Sequence, residues 1–395
     1  MAQSPVYLDH AATTPVRPEV LEAMLPYLTE HFGNPSSPHA AGRRARQGLD
    51  EARERIAAIL GAKPREIVFT GGGSEADNLA IKGAVWAASA RGRHIVTSGV
   101  EHKAVLHACA IMERSGFAVT YLPVDRYGQV DPAEVEAAIG EHTSLVSIMY
   151  ANNEVGTIQP IAEIGAICRR RGVLFHTDAI QAGGFLPLDV DNLGVDLLSL
   201  AAHKLYGPKG VGALFVRQGT ALLPQIQGGA QERQRRAGTE NVAGIVGFAR
   251  ALELAQGDPT ARDAENARLA GLRDRLLAAL RDVAGVETTG HPVQRLPHSA
   301  SWLVEGIEGG DLVAALDLDG VEGSTGSACT SGSAEPSHVL LAMGIDPGRA
   351  HGALRLTAGR GTTAEDADRA GEILRSTIER MRQPTGAPTR TVASA

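Results

Sequence analysis

Seven short, mostly apolar runs fall between residues 66 and 216. They are "EIVFT" (66–70), "HIVTS" (94–98), "AVTYLPV" (118–124), "SLVSIMYA" (144–151), "VLFHTDA" (173–179), "DLLSLAA" (196–202) and "GALFV" (212–216). Several are rich in Val, Ile and Phe, as strands are. Helical periods separate the earlier ones. Ala45, Leu49, Ala52, Ile56 and Ile59 recur at three and four residues, as do Leu79, Gly83 and Trp86, and again Ile161, Ile164 and Cys168. Strands alternating with helices leave few solutions: a mostly parallel sheet covered on both faces. The expected class is α/β, with residues 15–257 forming one large domain.

"QGDPTARD" (256–263) breaks the pattern with polar, Pro- and Gly-containing sequence. Beyond it Leu269, Leu272, Leu276 and Leu280 mark an amphipathic helix, followed by "SASWLV", "ALRLTAG" and a last helix with Ala370, Ile373, Leu374 and Ile378. Residues 258–383, joined by the arm 1–14, read as a smaller α+β domain. The tail 384–395 has no periodicity and reads as disordered.

A chain of 395 residues exceeds what one hydrophobic core serves. With 43% hydrophobic and 21% charged residues it is of ordinary globular composition. A net charge of −7 without blocks of like charge excludes a nucleic-acid footprint. Three cysteines argue against a disulfide framework and for a reducing compartment. "MAQSPVYLDHAATTP" has neither a basic nor an apolar leader region, and no apolar run approaches the roughly 18 residues of a membrane span. The expected location is cytoplasmic, with no membrane partner.

One cysteine is oddly placed. "GSTGSACTSGS" (323–333) surrounds Cys329 with glycine, serine and threonine, whereas free cysteine normally prefers a buried apolar face. Cys109 and Cys168 do fall on apolar helix faces. Three other motifs carry possible chemistry. "GGGSEADN" (71–78) follows a strand and opens a helix, so its amides can face an anion, though no Gly-Lys-Ser/Thr makes it a Walker loop. "HTDAIQAGG" (176–184) sets Asp178 at the carboxyl end of a strand, where ligands of such sheets bind. "SLAAHKLYGPKGVG" (199–212) sets Lys204 just past an apolar strand, a placement suited to a Schiff base with a carbonyl cofactor. Read singly, each has an ordinary structural explanation: a glycine turn with Ser74 as cap, a helix N-cap, a hairpin lysine. Together, an anion cradle, an acid and a reactive lysine are what pyridoxal 5′-phosphate requires.

At this point the chain resembles the pyridoxal-phosphate-dependent cysteine desulfurases of the NifS/IscS type, within the class V aminotransferases. The likeness runs from "YLDHAATTPV" to "LRLTAGR", through "FGNPSSPH", "VEHKAVL", "NNEVGTIQPI", "HKLYGPKGVGAL", "RRAGTEN" and "GSACTSGSAEPSHVL". It implies the aspartate-aminotransferase-like fold and assigns roles. Lys204 would carry the cofactor and Asp178 would pair with the pyridine nitrogen. Gln181 and Asn153 would reach the phenolic oxygen region, and His102 would stack on the ring and move protons. Gly73, Ser74 and His203 would contact the phosphate, and Thr239 would contact the phosphate of a neighbouring subunit, which requires a homodimer. Asn34 and Arg355 would hold the substrate carboxylate. Cys329, on a mobile loop of about 320–334, would accept sulfur as a persulfide and pass it to an acceptor such as an iron–sulfur scaffold. No intrinsic metal is implied, although Cys329 could ligate a cluster transiently during transfer.

One departure is visible: Ala201 stands where the family usually has a phosphate-binding serine. Read without the resemblance, His102 is a helix-start histidine, Arg355 a salt-bridge residue and Asn34 before Pro35 a turn. Rival functions are a selenocysteine lyase, a class V transaminase, which has no use for Cys329, and a non-catalytic sulfur-relay or assembly scaffold.

Overall fold

The computed structural model describes residues 4–326 and 335–383. Twelve strands lie among the described residues. They are β1 (Val6–Tyr7), β2 (Ile67–Thr70), β3 (His94–Ser98), β4 (Ala118–Leu122), β5 (Thr143–Ser147), β6 (Leu174–Asp178), β7 (Leu197–Ala201), β8 (Gly212–Val216), β9 (Val286–Thr288), β10 (Ser299–Val304), β11 (Val321–Glu322) and β12 (Ala353–Thr357). The seven runs read from the sequence are β2–β8, and all join one sheet in the order β2-β8-β7-β6-β5-β3-β4. Every pairing is parallel except those of β8, which is antiparallel to both β2 and β7. Strand β5 stops at Ser147, short of the end of its apolar run; residues 148–151 stay buried, and the Ile148 and Tyr150 amides still donate to His176 O and Asp178 O of β6.

Apolar layers cover both faces. Val146, Phe175, Leu198, Leu200 and Phe215 pack one face against helix α2 (Ala40–Leu60) and neighbouring helices, among them α1 (Pro18–Thr29). Helix α2 starts on His39, which accepts the Gly42 amide, and stops at Gly61 in the left-handed conformation, a usual helix ending. Ile95, Leu145, Leu197 and Leu214 pack the other face against helix Lys103–Arg114 and against helix α3 (Gly73–Asn78). The expected period at Leu79, Gly83 and Trp86 is helical, but α3 passes through a π-turn, Leu79–Gly83, into a final turn at Ala84–Ala87.

A second core gathers Leu8, Leu269, Leu272, Leu276, Trp302, Leu316, Leu356 and Leu374. Its frame is the antiparallel sheet β12-β10-β9, the parallel pair β1–β11, and the helices Pro259–Ala279 and Ala364–Arg382. The N-terminal arm thus packs with residues more than 250 positions away: Leu8 accepts the Thr357 amide at 2.6 Å. Among the described residues no helix is long and apolar enough to cross a membrane.

Candidate active site

The carboxyl ends of β2, β3, β5, β6 and β7 open on one cavity of about 300 Å³. Asp178 is the last residue of β6, and His203 and Lys204 follow β7 by a single turn. His102 caps the helix Lys103–Arg114 beyond β3, and Gly73 begins α3 beyond β2. Asn153 follows the buried exit of β5, and Arg355 enters from β12 of the other core. Nine of the residues expected from the sequence therefore meet: Gly73, Ser74, His102, Asn153, Asp178, Gln181, His203, Lys204 and Arg355 all line this cavity, as does Ala201.

Alternation along β6 explains why Asp178 has polar company. His176 and Asp178 share one face of the strand, and Phe175 points to the other. On that face His176 Nδ1 lies 2.8 Å from Ser147 Oγ, and its Nε2 lies 3.0 Å from Ser199 Oγ. Burial pushes His176 down to about 3, so the ring is neutral. Asp77 of α3 packs above, with Oδ1 3.7 Å from His176 Nε2. Burial, and then the charge of Asp178, raise Asp77 well above the usual carboxylate range. Burial also raises Asp178, to about 6, against the opposing pull of the Ile180 amide and the Lys204 charge. Two neighbouring buried carboxylates do not both ionise readily, and the one facing a cation keeps the charge. Asp178, with Lys204 facing it, therefore holds a charge more readily than Asp77.

Lys204 Nζ donates to the carbonyls of Ala11 and Ala12 at 2.5 and 2.8 Å. Gln181 Nε2 donates to Ala11 O at 3.0 Å, and His203 Nδ1 lies 3.2 Å from Thr13 Oγ1. One wall of the cavity is thus the backbone of the N-terminal arm. Nothing in "AATT" announces that role, because a main-chain carbonyl carries no side-chain signature. His102 Nδ1 accepts the Ala104 amide at 3.1 Å, which sets the ring's orientation. Burial, then the Lys204 charge, push His102 down to about 4. The helix-start reading of His102 and the cavity reading are both satisfied.

Arg355 is fully buried and ion-paired: Nη2 lies 2.7 Å from Asp9 Oδ1, and Nη1 donates to Asn153 O at 2.6 Å and Gly326 O at 3.1 Å. Two expected residues do not line the cavity. Asn34 is exposed and accepts the Ser36 amide at 2.9 Å in a local turn. Thr239 is exposed on the loop before helix Val242–Gln256. Cys329 lies outside the described residues, and Gly326, three positions before it, lines the cavity. His338 and Glu154 also line it, unforeseen from the sequence. His338 sits in the quoted run "SAEPSHVL", so its signal was present but unassigned.

Comparison with known proteins fits this geometry. The aminotransferase class-V family matches residues 6–370. The chain belongs to that family and has its fold. It is 52% identical over 377 residues to the cysteine desulfurase IscS of Methanosarcina thermophila, covering 95% of this chain and 93% of the relative. Among solved structures, a NifS-like protein superposes with a TM-score of 0.87 at 39% identity, covering 95% of this chain and 99% of that one. SspA in complex with cysteine superposes with a TM-score of 0.78 at 38% identity, over 89% and 98% of the two chains.

Proposed function

We propose that this chain is a pyridoxal-phosphate-dependent cysteine desulfurase, converting L-cysteine and an enzyme thiol into L-alanine and an enzyme persulfide. The observation that carries the reading is the meeting of Lys204, Asp178, His102 and Arg355 in one cavity, drawn from strand ends far apart in sequence. The cavity suits the cofactor. A Cβ on Gly73 would fall 2.2 Å from Ile180 Cδ1, so the glycine turn presents bare backbone at the end where a phosphate would lie. Asp178 offers a buried carboxylate and Lys204 an amine on the same cavity. When bound, pyridoxal phosphate supplies an electron sink that makes the substrate Cα–H acidic and loosens its Cβ–S bond.

The chain's own residues do the rest. Lys204 Nζ holds the cofactor and is the base for the Cα proton. Asp178, ionised, would hold the pyridine nitrogen protonated, and Gln181 and Asn153, on the same cavity, would offer hydrogen bonds to the phenolic oxygen. His102 is neutral at pH 7 and accepts or returns protons. Gly73, Ser74 and His203 hold the phosphate. Arg355 exchanges Asp9 for the substrate carboxylate. Cys329 is the sulfur acceptor, since burial pushes the thiols of Cys109 and Cys168 up to about 12 and leaves them no thiolate at pH 7.

The site lies between the units 15–257 and 1–14 with 258–383. The working form is a homodimer in which Thr239 reaches the neighbouring phosphate, consistent with its exposed position here. The acceptor is a protein of the iron–sulfur or another thiolation route, and the enzyme acts in the cytoplasm. Incubation with pyridoxal phosphate and L-cysteine should yield alanine and a persulfide on Cys329 by intact mass. Absence of alanine defeats the reading. A Cys329→Ala variant that keeps full turnover points instead to a transaminase.

A further inference from the structure

The segment Glu232–Gln234 carries three successive side-chain-bearing residues at positive φ: 45°, 56° and 64°. L-residues visit that region singly, and a run of them persists only where the surroundings hold it. The hold is visible. Glu232 forms a two-pronged ion pair with Arg53 of α2, at 2.6 and 2.8 Å, and both side chains are buried. The same two residues grip β2. Arg53 Nη1 donates to Ile67 O at 2.7 Å, Glu232 Oε2 accepts the Phe69 amide at 3.0 Å, and the Arg53 guanidinium lies over the Phe69 ring.

Four residues on, Arg236 donates to Glu75 of α3 at 2.8 and 3.3 Å, and Glu75 Oε2 accepts the Gly71 amide at 2.7 Å. Segment 232–236 therefore grips the strand before the glycine turn and the helix after it. Between those grips the turn is glycine, which has no side chain of its own to fix it: Gly72 stands at φ 150°, and a Cβ on it would meet nothing within 4 Å. A bare turn of this kind needs its shape imposed from outside.

We propose that Arg53, Glu232, Arg236 and Glu75 are positioning residues that shape the glycine turn 71–73 to receive the cofactor's phosphate. The inference rests on the reading of that turn as the phosphate end of the site. None of the four lines the cavity, so their effect is exerted through backbone at Ile67, Phe69 and Gly71.

The experiment titrates cofactor-free protein with pyridoxal phosphate and, separately, with pyridoxal, which has the ring and aldehyde but no phosphate. Both are read by visible absorbance. Glu75→Ala removes the acceptor of the Gly71 amide and the partner of Arg236 together. It should weaken pyridoxal phosphate about tenfold or more while leaving pyridoxal within about twofold. Glu75→Gln, which keeps an acceptor but loses the charge, should fall between Glu75→Ala and the parent. Glu232→Gln should show the same selective loss. If that buried change prevents folding, Glu75→Ala decides alone, since its side chain is partly exposed. An equal loss for both ligands, or none for either, overturns the inference. A parent protein that binds the two ligands equally overturns the phosphate reading itself, and the inference falls with it.

Discussion

Glu101 sits one residue before His102, fully buried, with Oε1 accepting Ser98 Oγ at 2.6 Å and the Met149 amide at 3.0 Å. Burial pushes it up to about 8, so it is protonated at neutral pH. The folded state keeps a proton that the unfolded chain releases near its ordinary carboxylate value. This contribution to stability therefore declines as pH rises, and is gone once pH passes about 8. Glu101→Gln should melt at nearly the parent temperature below pH 4.5 and lose less stability than the parent as pH rises from there to about 8 in thermal scans. Ala201 gives a second test. It lines the cavity where relatives of this type usually place a serine, so Ala201→Ser should add a hydrogen bond of about 1 kcal/mol and slow cofactor loss on dialysis. An unchanged loss rate would contradict this. At this scale the sequence was legible where a side chain lines the cavity, as those of Asp178, Lys204 and His102 do. It was silent at Ala11 and Ala12, whose contribution is main-chain oxygen.

Strand ends, rather than strand interiors, make the cavity, and their spacing depends on close backbone contact. Gly212 opens β8 opposite both Thr70 and Ala201. A Cβ there would stand 2.6 Å from Leu200 O and 2.8 Å from the Gly72 carbonyl carbon. Gly212→Ala should therefore shift the glycine turn, destabilising the protein by about 1–3 kcal/mol and lowering affinity for pyridoxal phosphate, measured by denaturant melts and absorbance titration. The seven strands were readable because each is an apolar run bounded by polar turns. The reversed direction of β8 was not, since a buried antiparallel strand is as apolar as a parallel one. The π-turn at Leu79–Gly83 was equally hidden, because one extra residue barely disturbs a helical period.

At the scale of the whole molecule, helix α1 keeps an apolar face in water. In α1, Leu25 and Leu28 are 54% and 58% exposed, and Phe32 just beyond it is 75% exposed. Patches of this kind mark association surfaces. With the homodimer proposed above, a Leu25→Asp/Leu28→Asp variant should run as a monomer by light scattering and hold cofactor more weakly, while the parent runs as a dimer. A monomeric parent would refute the assignment. The pairing of β1 with β11 could not be read from the sequence, as a two-residue strand leaves no pattern.

That pairing sets a timetable for synthesis. Residues 6–14 leave the ribosome early, yet Leu8 and Asp9 find their partners on Thr357 and Arg355 only after β12 has been made. Until then the carbonyls that face Lys204 are held only from the side of the large sheet, by Gln181 and the bonds of Thr14 to His203, and lack the frame of the second core. A nascent chain stalled before β12 should be unable to retain the cofactor, however well its first seven-stranded sheet has formed.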